Sequence, residues 1–198
     1  MLSKKQQIVK RIFDIVFSTI GIVLFLIPIF ILVILASFST KKPGMFSQLR
    51  VGQHGAFFKM YKIRTMYVDD DANFITTKDD PRITRFGKFL RKYKLDELPQ
   101  LYNVFLGNMS LVGPRPDVVG YADQLKGEDN IILSIKPGIT GPATIKFRNE
   151  EQLLSKQLDP KNYNDTIIWK EKVKINIEYV NKWSFLGDIN YIVKTIFT

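Results

Sequence analysis

Two adjacent carboxylates, Asp96 and Glu97, stand just before a Leu-Pro pair and are the residues best suited to chemistry. On a helix they would point roughly 100° apart, so they suit two separate roles better than one shared proton. A carboxylate can attack phosphorus to form an acyl phosphate, and a neighbouring carboxylate can bind the Mg²⁺ that neutralises a diphosphate. We therefore expect Asp96 to be the nucleophile and Glu97 the metal ligand. The alternative from composition is an ordinary solvated helix surface.

Phosphoryl transfer also requires cations that bind the non-bridging oxygens of the phosphate. Arg91 precedes Asp96 by five residues, and Arg115 lies between two prolines that make the backbone rigid. Both arginines offer the forked guanidinium that matches a phosphate group. Lys62 and Arg64, on a predicted basic strand, are further candidates for phosphate binding.

The composition limits the other kinds of site that the chain can build. Lys and Arg total 29 against 19 for Asp and Glu, and a formal charge of +10 favours an anionic partner. The chain has no cysteine and a single histidine, His54, which excludes disulfides, thiolate-bound metals and multi-histidine metal sites. A metal ion in this protein would therefore have oxygen ligands.

An uncharged, strongly apolar segment covers residues 15–38 and is long enough to insert into a membrane. Pro28 lies in its middle, and basic residues flank both of its ends, whereas a spanning helix usually has them on one side. Composition favours a spanning helix, because long apolar runs usually span. Two cytoplasmic ends and a bend at Pro28 would instead describe a re-entrant hairpin. At the membrane boundary, we expect Asp14 to pair with Lys10 or Arg11.

The remaining sequence predicts a small domain of short elements. Residues 57–64 alternate apolar and basic side chains as a strand does, and residues 67–82 form a polar surface loop. Residues 83–94 predict a basic amphipathic helix suited to an anionic membrane surface. A short helix ending at Leu106, two stiff proline-containing loops at 113–116 and 136–142, and helical residues 167–195 broken near Ser184 complete the pattern.

Several motifs together resemble the bacterial sugar transferase family, the small monotopic phosphoglycosyl transferases. They occur in the family's order: Phe46-x-Gln48-x-Arg50-x-Gly52, then FKMYKIRTM at 58–66, LDELPQL at 95–101, GPRP at 113–116 and PGITG at 137–141. A weaker match follows at 184–188. None of these motifs is specific alone, but the ordered set is.

The resemblance implies a ping-pong reaction with a UDP-sugar and a polyprenol phosphate, such as undecaprenyl phosphate. Asp96 would attack the β-phosphate, release UMP and carry the phosphosugar until the polyprenol phosphate accepts it. Glu97 would bind Mg²⁺, and Arg91 and Arg115 would bind phosphate. Asp188, and Thr140 in the last strong motif, are less secure members of the site. Such a transfer is the first membrane step of glycoconjugate assembly.

The resemblance also implies an α+β fold with two parts. Residues 1–40 would form a re-entrant membrane helix, and residues 41–198 a mostly helical catalytic domain with membrane-surface helices and a short β element. The family breaks its membrane helix at a Ser-Pro pair, whereas Ile27 precedes Pro28 here. The expected location is the cytoplasmic face of the bacterial inner membrane, as a catalytic core without the extra N-terminal helices of larger relatives.

Two other classes of function are compatible with parts of the sequence. The positive charge and the aromatic residues Phe58 and Tyr61 would suit a membrane-tethered polyanion binder, but that reading leaves the ordered motifs unexplained. A non-catalytic membrane scaffold would tolerate the loss of Asp96. We expect membrane lipids as partners and no nucleic acid.

Overall fold

The computed structural model describes residues 2–68 and 80–197 and shows a mostly helical α+β protein. The predicted α+β class, mostly helical with a small amount of strand, is thereby confirmed. Most of the predicted polar loop at 67–82 lies outside the described residues. The helices are α1 (Lys4–Thr40), α2 (Arg85–Lys92), α3 (Gln100–Leu106), α4 (Pro142–Lys146), α5 (Glu150–Leu154), α6 (Pro160–Tyr163), α7 (Trp169–Asn181) and α8 (Phe185–Phe197). The strands are β1 (Met45–Val51), β2 (Phe57–Ile63), β3 (Ser110–Val112) and β4 (Gly138–Thr140).

Helix α1 contains the whole apolar segment and has Pro28 inside it. Ser3 caps its N-terminus in a reciprocal pairing with Gln6, and Lys41 ends it in the left-handed conformation. The helix is long and apolar enough to cross a membrane, with a mean hydropathy of 3.1 in its most apolar window. Its middle is exposed, and Val23 and Ile27 are each 71% accessible. An apolar surface of this kind indicates membrane association.

The two ends of α1 both pack against the rest of the protein. Near its C-terminus, Ala36 is buried with Ile63 of β2 and Leu90 of α2. Gly21, in its first half, lies so close to α3 that an added Cβ would come within 2.9 Å of the Leu101 side chain. Between these contacts, around Pro28, the side chains of α1 are largely exposed.

Buried polar residues fix the N-terminal half of α1, and we call this group the anchor cluster: Lys10, Asp14, Ser110, Tyr179, Trp183 and Asp188. The Lys10 Nζ lies 2.5 Å from Asp188 Oδ2, and Asp188 also accepts hydrogen bonds from Tyr179 and Trp183. Asp14 accepts from the Ser110 hydroxyl at 3.0 Å and from the Leu111 amide at 2.9 Å. The expected direct ion pair of Asp14 with Lys10 or Arg11 was therefore wrong, because each side chain bonds to a partner distant in sequence, although the charges of both cations still act on Asp14.

Strands β1 and β2 form an antiparallel hairpin in which Met45 pairs with Ile63 and Val51 with Phe57. The predicted strand at 57–64 is thus confirmed. Helix α3 covers the free edge of β2 through Asn103, whose side chain accepts from the Tyr61 amide at 3.0 Å and donates to the Lys59 carbonyl at 2.7 Å. One buried amide thereby fixes the distance between the hairpin and α3.

Strands β3 and β4 pair in parallel, with Ser110 opposite Gly138 and Val112 opposite Thr140. The second stiff loop of the sequence analysis is therefore partly a strand. A Cβ on Gly138 would lie 2.1 Å from the Gly113 nitrogen, so only glycine permits this approach. The pairing brings the GPRP and PGITG motifs together.

Candidate active site

The Asp-Glu pair lies on a 3₁₀ turn, Leu95–Glu97, between α2 and α3. Lys94, in the left-handed conformation with φ 57°, reverses the chain after α2 and starts this turn. Asp96 and Glu97 are only 6% and 8% accessible. Burying two adjacent carboxylates is costly unless cations or ligands compensate, so this turn is a strong candidate for a functional site.

Two cations from distant strands and loops meet on Glu97. Its Oε1 accepts from Arg115 at 2.6 Å and from Lys62 at 3.0 Å. Lys62 lies on β2, held against α3 by the Asn103 bridge, and Arg115 follows the β3–β4 pair. The structure therefore brings together four of the predicted site residues, Lys62, Asp96, Glu97 and Arg115, which we call the catalytic cluster.

The surroundings shift the pKa values of the two carboxylates of the catalytic cluster in opposite directions. Burial opposes the ionisation of Glu97, but Arg115 and Lys62 together outweigh it and hold the pKa of Glu97 well below its ordinary value. Arg115 is the dominant partner, since Glu97 raises the pKa of Arg115 whereas burial lowers the pKa of Lys62. Burial raises the pKa of Asp96, and the negative charge of Glu97 adds to this effect. Glu97 thus stays charged while Asp96 is destabilised as an anion.

Asp96 also has an unsatisfied oxygen. Its Oδ1 is buried, and no residue in the described part of the chain donates a hydrogen bond to it. A buried anionic oxygen without a donor costs about 1–3 kcal/mol or more, so native proteins keep one only where something else uses it. This Asp96 oxygen is poorly solvated, which suits the predicted role of Asp96 as a nucleophile.

Arg91 lies near the catalytic cluster at the end of α2 and favours the ionised form of Asp96. Its guanidinium contacts the Thr65 hydroxyl at 3.5 Å and forms an ion pair with Glu151 of α5. Glu151 is partly exposed, and its contact with Arg91 is one that an incoming anionic group can replace. The predicted role of Arg91 in binding phosphate is compatible with this position and stays a prediction.

Three predicted site residues do not contact Asp96 or Glu97 within the described residues. Arg64 donates to the Pro43 carbonyl at 2.8 Å and lies over the Phe46 ring, so it supports the link from α1 to β1. Thr140 is 2.5 Å from the Thr195 hydroxyl of α8. Asp188 belongs to the anchor cluster. Their functional roles remain predictions, and their observed contacts are structural.

Residues that the sequence analysis did not assign to the site also lie near it. Burial raises the pKa of Asp117 to about 6, although Lys172, Arg50 and Arg115 oppose this effect. Arg50 lies in a recognised motif, and its Nε is buried without a partner among the described residues. Gln100 is 2% accessible, with an equally unpartnered Nε2. The signal that could have identified Arg50 and Gln100 is their place in the motifs.

The residues present fit a Mg²⁺ ion held partly by substrate. The described part of the chain has no cluster of three or more acidic or histidine side chains around one metal position. Mg²⁺ however commonly takes one or two carboxylates together with phosphate oxygens and waters. Glu97 is kept ionised, as a ligand must be, and Asp96 has a buried oxygen without a protein donor.

The fold and the catalytic cluster together define a membrane-associated protein in which two buried carboxylates lie beside two cationic side chains. The sequence profile described as "Bacterial sugar transferase" matches residues 5–198. The chain belongs to the bacterial sugar transferase family.

Named relatives agree with this assignment. The chain is 41% identical over 167 residues to the galactosyl transferase CpsE of Streptococcus agalactiae, covering 78% of this chain and 34% of that protein. It is 37% identical to the UDP-glucose:undecaprenyl-phosphate glucose-1-phosphate transferase of Escherichia coli, covering 99% and 41%. An uncharacterised sugar transferase of Bacillus subtilis, EpsL, is 33% identical, covering 96% and 86%. The chain thus spans less than half the length of the first two relatives.

Proposed function

We propose that this protein transfers a sugar 1-phosphate from a UDP-sugar to undecaprenyl phosphate or a similar polyprenol phosphate, with release of UMP. The observation that carries the proposal is Asp96, a buried carboxylate with a raised pKa and an unpaired oxygen, adjacent to an ion-paired Glu97. The names of the relatives supply the class of donor and acceptor. The reaction would begin the assembly of a glycoconjugate at the membrane.

In the first half-reaction, a carboxylate oxygen of Asp96 attacks the β-phosphorus of the UDP-sugar. An aspartyl-phosphate bond forms while the bond from the β-phosphorus to the bridging oxygen breaks, and that oxygen leaves with UMP. In the second, an oxygen of the polyprenol phosphate attacks the same phosphorus. The aspartyl-phosphate bond breaks, the polyprenyl diphosphate sugar is formed, and Asp96 is regenerated.

The other members of the catalytic cluster stabilise charge around this centre. Arg115 and Lys62 are bonded to Glu97 beside Asp96, where they would contact the phosphates, and Arg91 would exchange its Glu151 partner for a phosphate oxygen. Glu97 would hold Mg²⁺. When bound, that ion would neutralise part of the diphosphate charge and so assist the departure of UMP.

We further propose that α1 enters and leaves the membrane by its cytoplasmic face. Its contacts with the domain at Gly21 and again at Leu32 leave roughly 15 Å of helix unpacked, about half of the hydrocarbon thickness. A spanning helix could not contact one domain on both sides of the bilayer. Pro28, in the exposed stretch, removes a backbone donor at the point where a bend is needed.

The first experiment tests the chemistry. Detergent-solubilised protein is given a panel of UDP-sugars with Mg²⁺, with and without undecaprenyl phosphate, and UMP release is measured for wild type and Asp96→Asn. We expect wild type alone to release UMP, in a burst equal to the enzyme when the acceptor is omitted. A burst of labelled phosphosugar on the protein identifies the covalent intermediate. Steady release by Asp96→Asn would refute the assignment of the nucleophile.

A second experiment tests the topology of α1. Because the sequence has no native cysteine, each introduced cysteine is the only thiol that can be labelled. Single-cysteine variants Lys5→Cys and Lys42→Cys, both at exposed positions, are treated in intact spheroplasts with a membrane-impermeant thiol reagent. We expect neither to react until the membrane is permeabilised. Reaction of one variant in intact spheroplasts would show that α1 spans the membrane.

A further inference from the structure

Helix α3 begins with a buried glutamine whose side-chain Nε2 has no hydrogen-bond partner among the described residues. Gln100 is 2% accessible, and no residue in the part of the chain that the structure describes accepts from its Nε2. Three residues later, Asn103 is fully buried and donates and accepts across to β2. The same short helix therefore satisfies one buried amide completely and leaves the other without a partner.

The unpaired amide and the unpaired oxygen of Asp96 are chemically complementary. Nε2 can only donate, and the ionised Asp96 Oδ1 can only accept. Between the 3₁₀ turn and α3, Asp96, Gln100 and Asn103 are all buried, whereas the intervening Leu98, Leu101 and Tyr102 are more exposed. Gln100 therefore follows Asp96 on the buried side of this segment.

The two groups nevertheless form no direct hydrogen bond. Each unsatisfied buried group is destabilising, and an apolar residue of the same shape at position 100 would avoid that cost. A phosphoryl group can satisfy both groups, because its phosphorus bonds to an Asp96 oxygen while one of its non-bridging oxygens accepts from Nε2. In the proposed function, such a group joins Asp96.

We propose that Gln100 is a further catalytic residue, whose side-chain amide Nε2–H donates a hydrogen bond to a non-bridging oxygen of the phosphoryl group attached to Asp96. The proposal rests on the proposed function. Negative charge on that oxygen grows while the phosphorus changes partners, and a fixed donor in a buried site stabilises it. Arg115 and Lys62 bond to Glu97, whereas Gln100 would bond to the phosphoryl group on Asp96.

The test compares Gln100→Met, which keeps the length but removes the donor, with Gln124→Met, an exposed glutamine outside the site, as the matched control. The burst of UMP release without acceptor is measured at saturating and limiting UDP-sugar. We expect Gln100→Met to slow the burst by about 10²-fold with KM nearly unchanged, as for loss of one transition-state donor. Its melting temperature should be equal to or above wild type, because an unsatisfied amide has been removed.

Gln100→Glu supplies a readout that a structural role would not move. A glutamate beside Asp96 is a poor donor when ionised but carries an O–H when protonated, so its burst rate relative to wild type should rise as the pH falls. Gln100→Met should show no such recovery. A wild-type burst rate in Gln100→Met, or an equal pH profile in both variants, overturns the proposal. Absence of UMP release from wild type would instead refute the proposed function itself.

Discussion

The anchor cluster and the catalytic cluster are both buried groups of charged side chains, but they differ in how completely they are paired. In the anchor cluster, Lys10, Asp14 and Asp188 all have hydrogen-bonded partners, and none of its side chains has an unsatisfied buried atom in the described structure. In and beside the catalytic cluster, Asp96, Gln100 and Arg50 each retain one.

This difference separates a structural network from a binding site. A fully paired network gains nothing from a ligand and loses much when one member is removed. An incompletely paired site is costly to the free protein, and a ligand that pairs its atoms recovers that cost. Removing a member of the first should therefore unfold the protein, and removing a member of the second should stop the chemistry.

Asp96→Asn should give the largest effect and break the catalytic cluster alone. We expect UMP release to fall by at least about 10⁴-fold, since no nucleophile remains, while thermal stability is retained or raised because an amide avoids the cost of a buried anion. Melting curves and burst assays on the same preparation check both parts. A large loss of stability in this variant would contradict the contrast between the clusters.

Asp188→Asn should produce the second largest effect and break the anchor cluster. It removes the counter-charge that the buried Lys10 ammonium contacts directly and leaves only the more distant Asp14, so we expect a loss of about 3 kcal/mol in unfolding free energy. The exposed pair Lys182–Glu178 is the control, and Glu178→Gln should leave stability unchanged. If Asp188→Asn remained stable but lost transfer activity, Asp188 would be an active-site residue, as the family resemblance suggests.

Asp117 allows the comparison to be sharpened by pH. Its folded pKa of about 6 lies above the ordinary value of 3.8, so ionisation opposes folding, and stability is lost as the pH rises through 6. Asp117→Asn should therefore be more stable than wild type at pH 8, by no more than about 3 kcal/mol. The advantage should vanish below about pH 4 in denaturant titrations. A constant difference at every pH would exclude this titration as the cause.

Arg64→Gln should give the smallest effect. Arg64 donates to the Pro43 carbonyl and does not contact either carboxylate. We therefore expect the unfolding free energy to fall by less than about 1 kcal/mol and the rate of the UMP burst to change by a few-fold at most. Arg115→Gln is the matched comparison, and it should reduce the burst by about 10²-fold or more. Similar losses in the two variants would place Arg64 at the phosphates.

Much of the fold was predictable where local pattern decides it. The strand at 57–64 and the helical break near Ser184 follow from alternation and turn residues, and the structure confirms both. The direct partner of Asp14 was predicted wrongly, because local spacing in the sequence considers only neighbouring residues, whereas Asp14 bonds to Ser110 and Leu111. The strand β4 was read as a loop, since a three-residue strand has no period of its own.

The site was predictable only in part, for the same reason. Asp96 and Glu97 are adjacent, so their partnership is visible in the sequence. That Lys62 and Arg115 converge on Glu97 depends on the Asn103 bridge and on the Gly113–Gly138 contact, neither of which has a sequence period. Asp117 escaped because its importance lies in burial, which depends on the whole fold, whereas Gln100 lies in the LDELPQL motif and its motif position was the available signal.

The Lys10–Asp188 ion pair connects residues 178 positions apart, and this separation determines when it can form. During synthesis α1 emerges long before its partner on α8. Lys10 is therefore without Asp188 until α8 has been made, whereas Asp14 can bond to Ser110 and Leu111 earlier. Complete docking of α1 is in this way a late event, and a product truncated before α8 would hold its apolar helix less firmly and be more open to quality-control proteases.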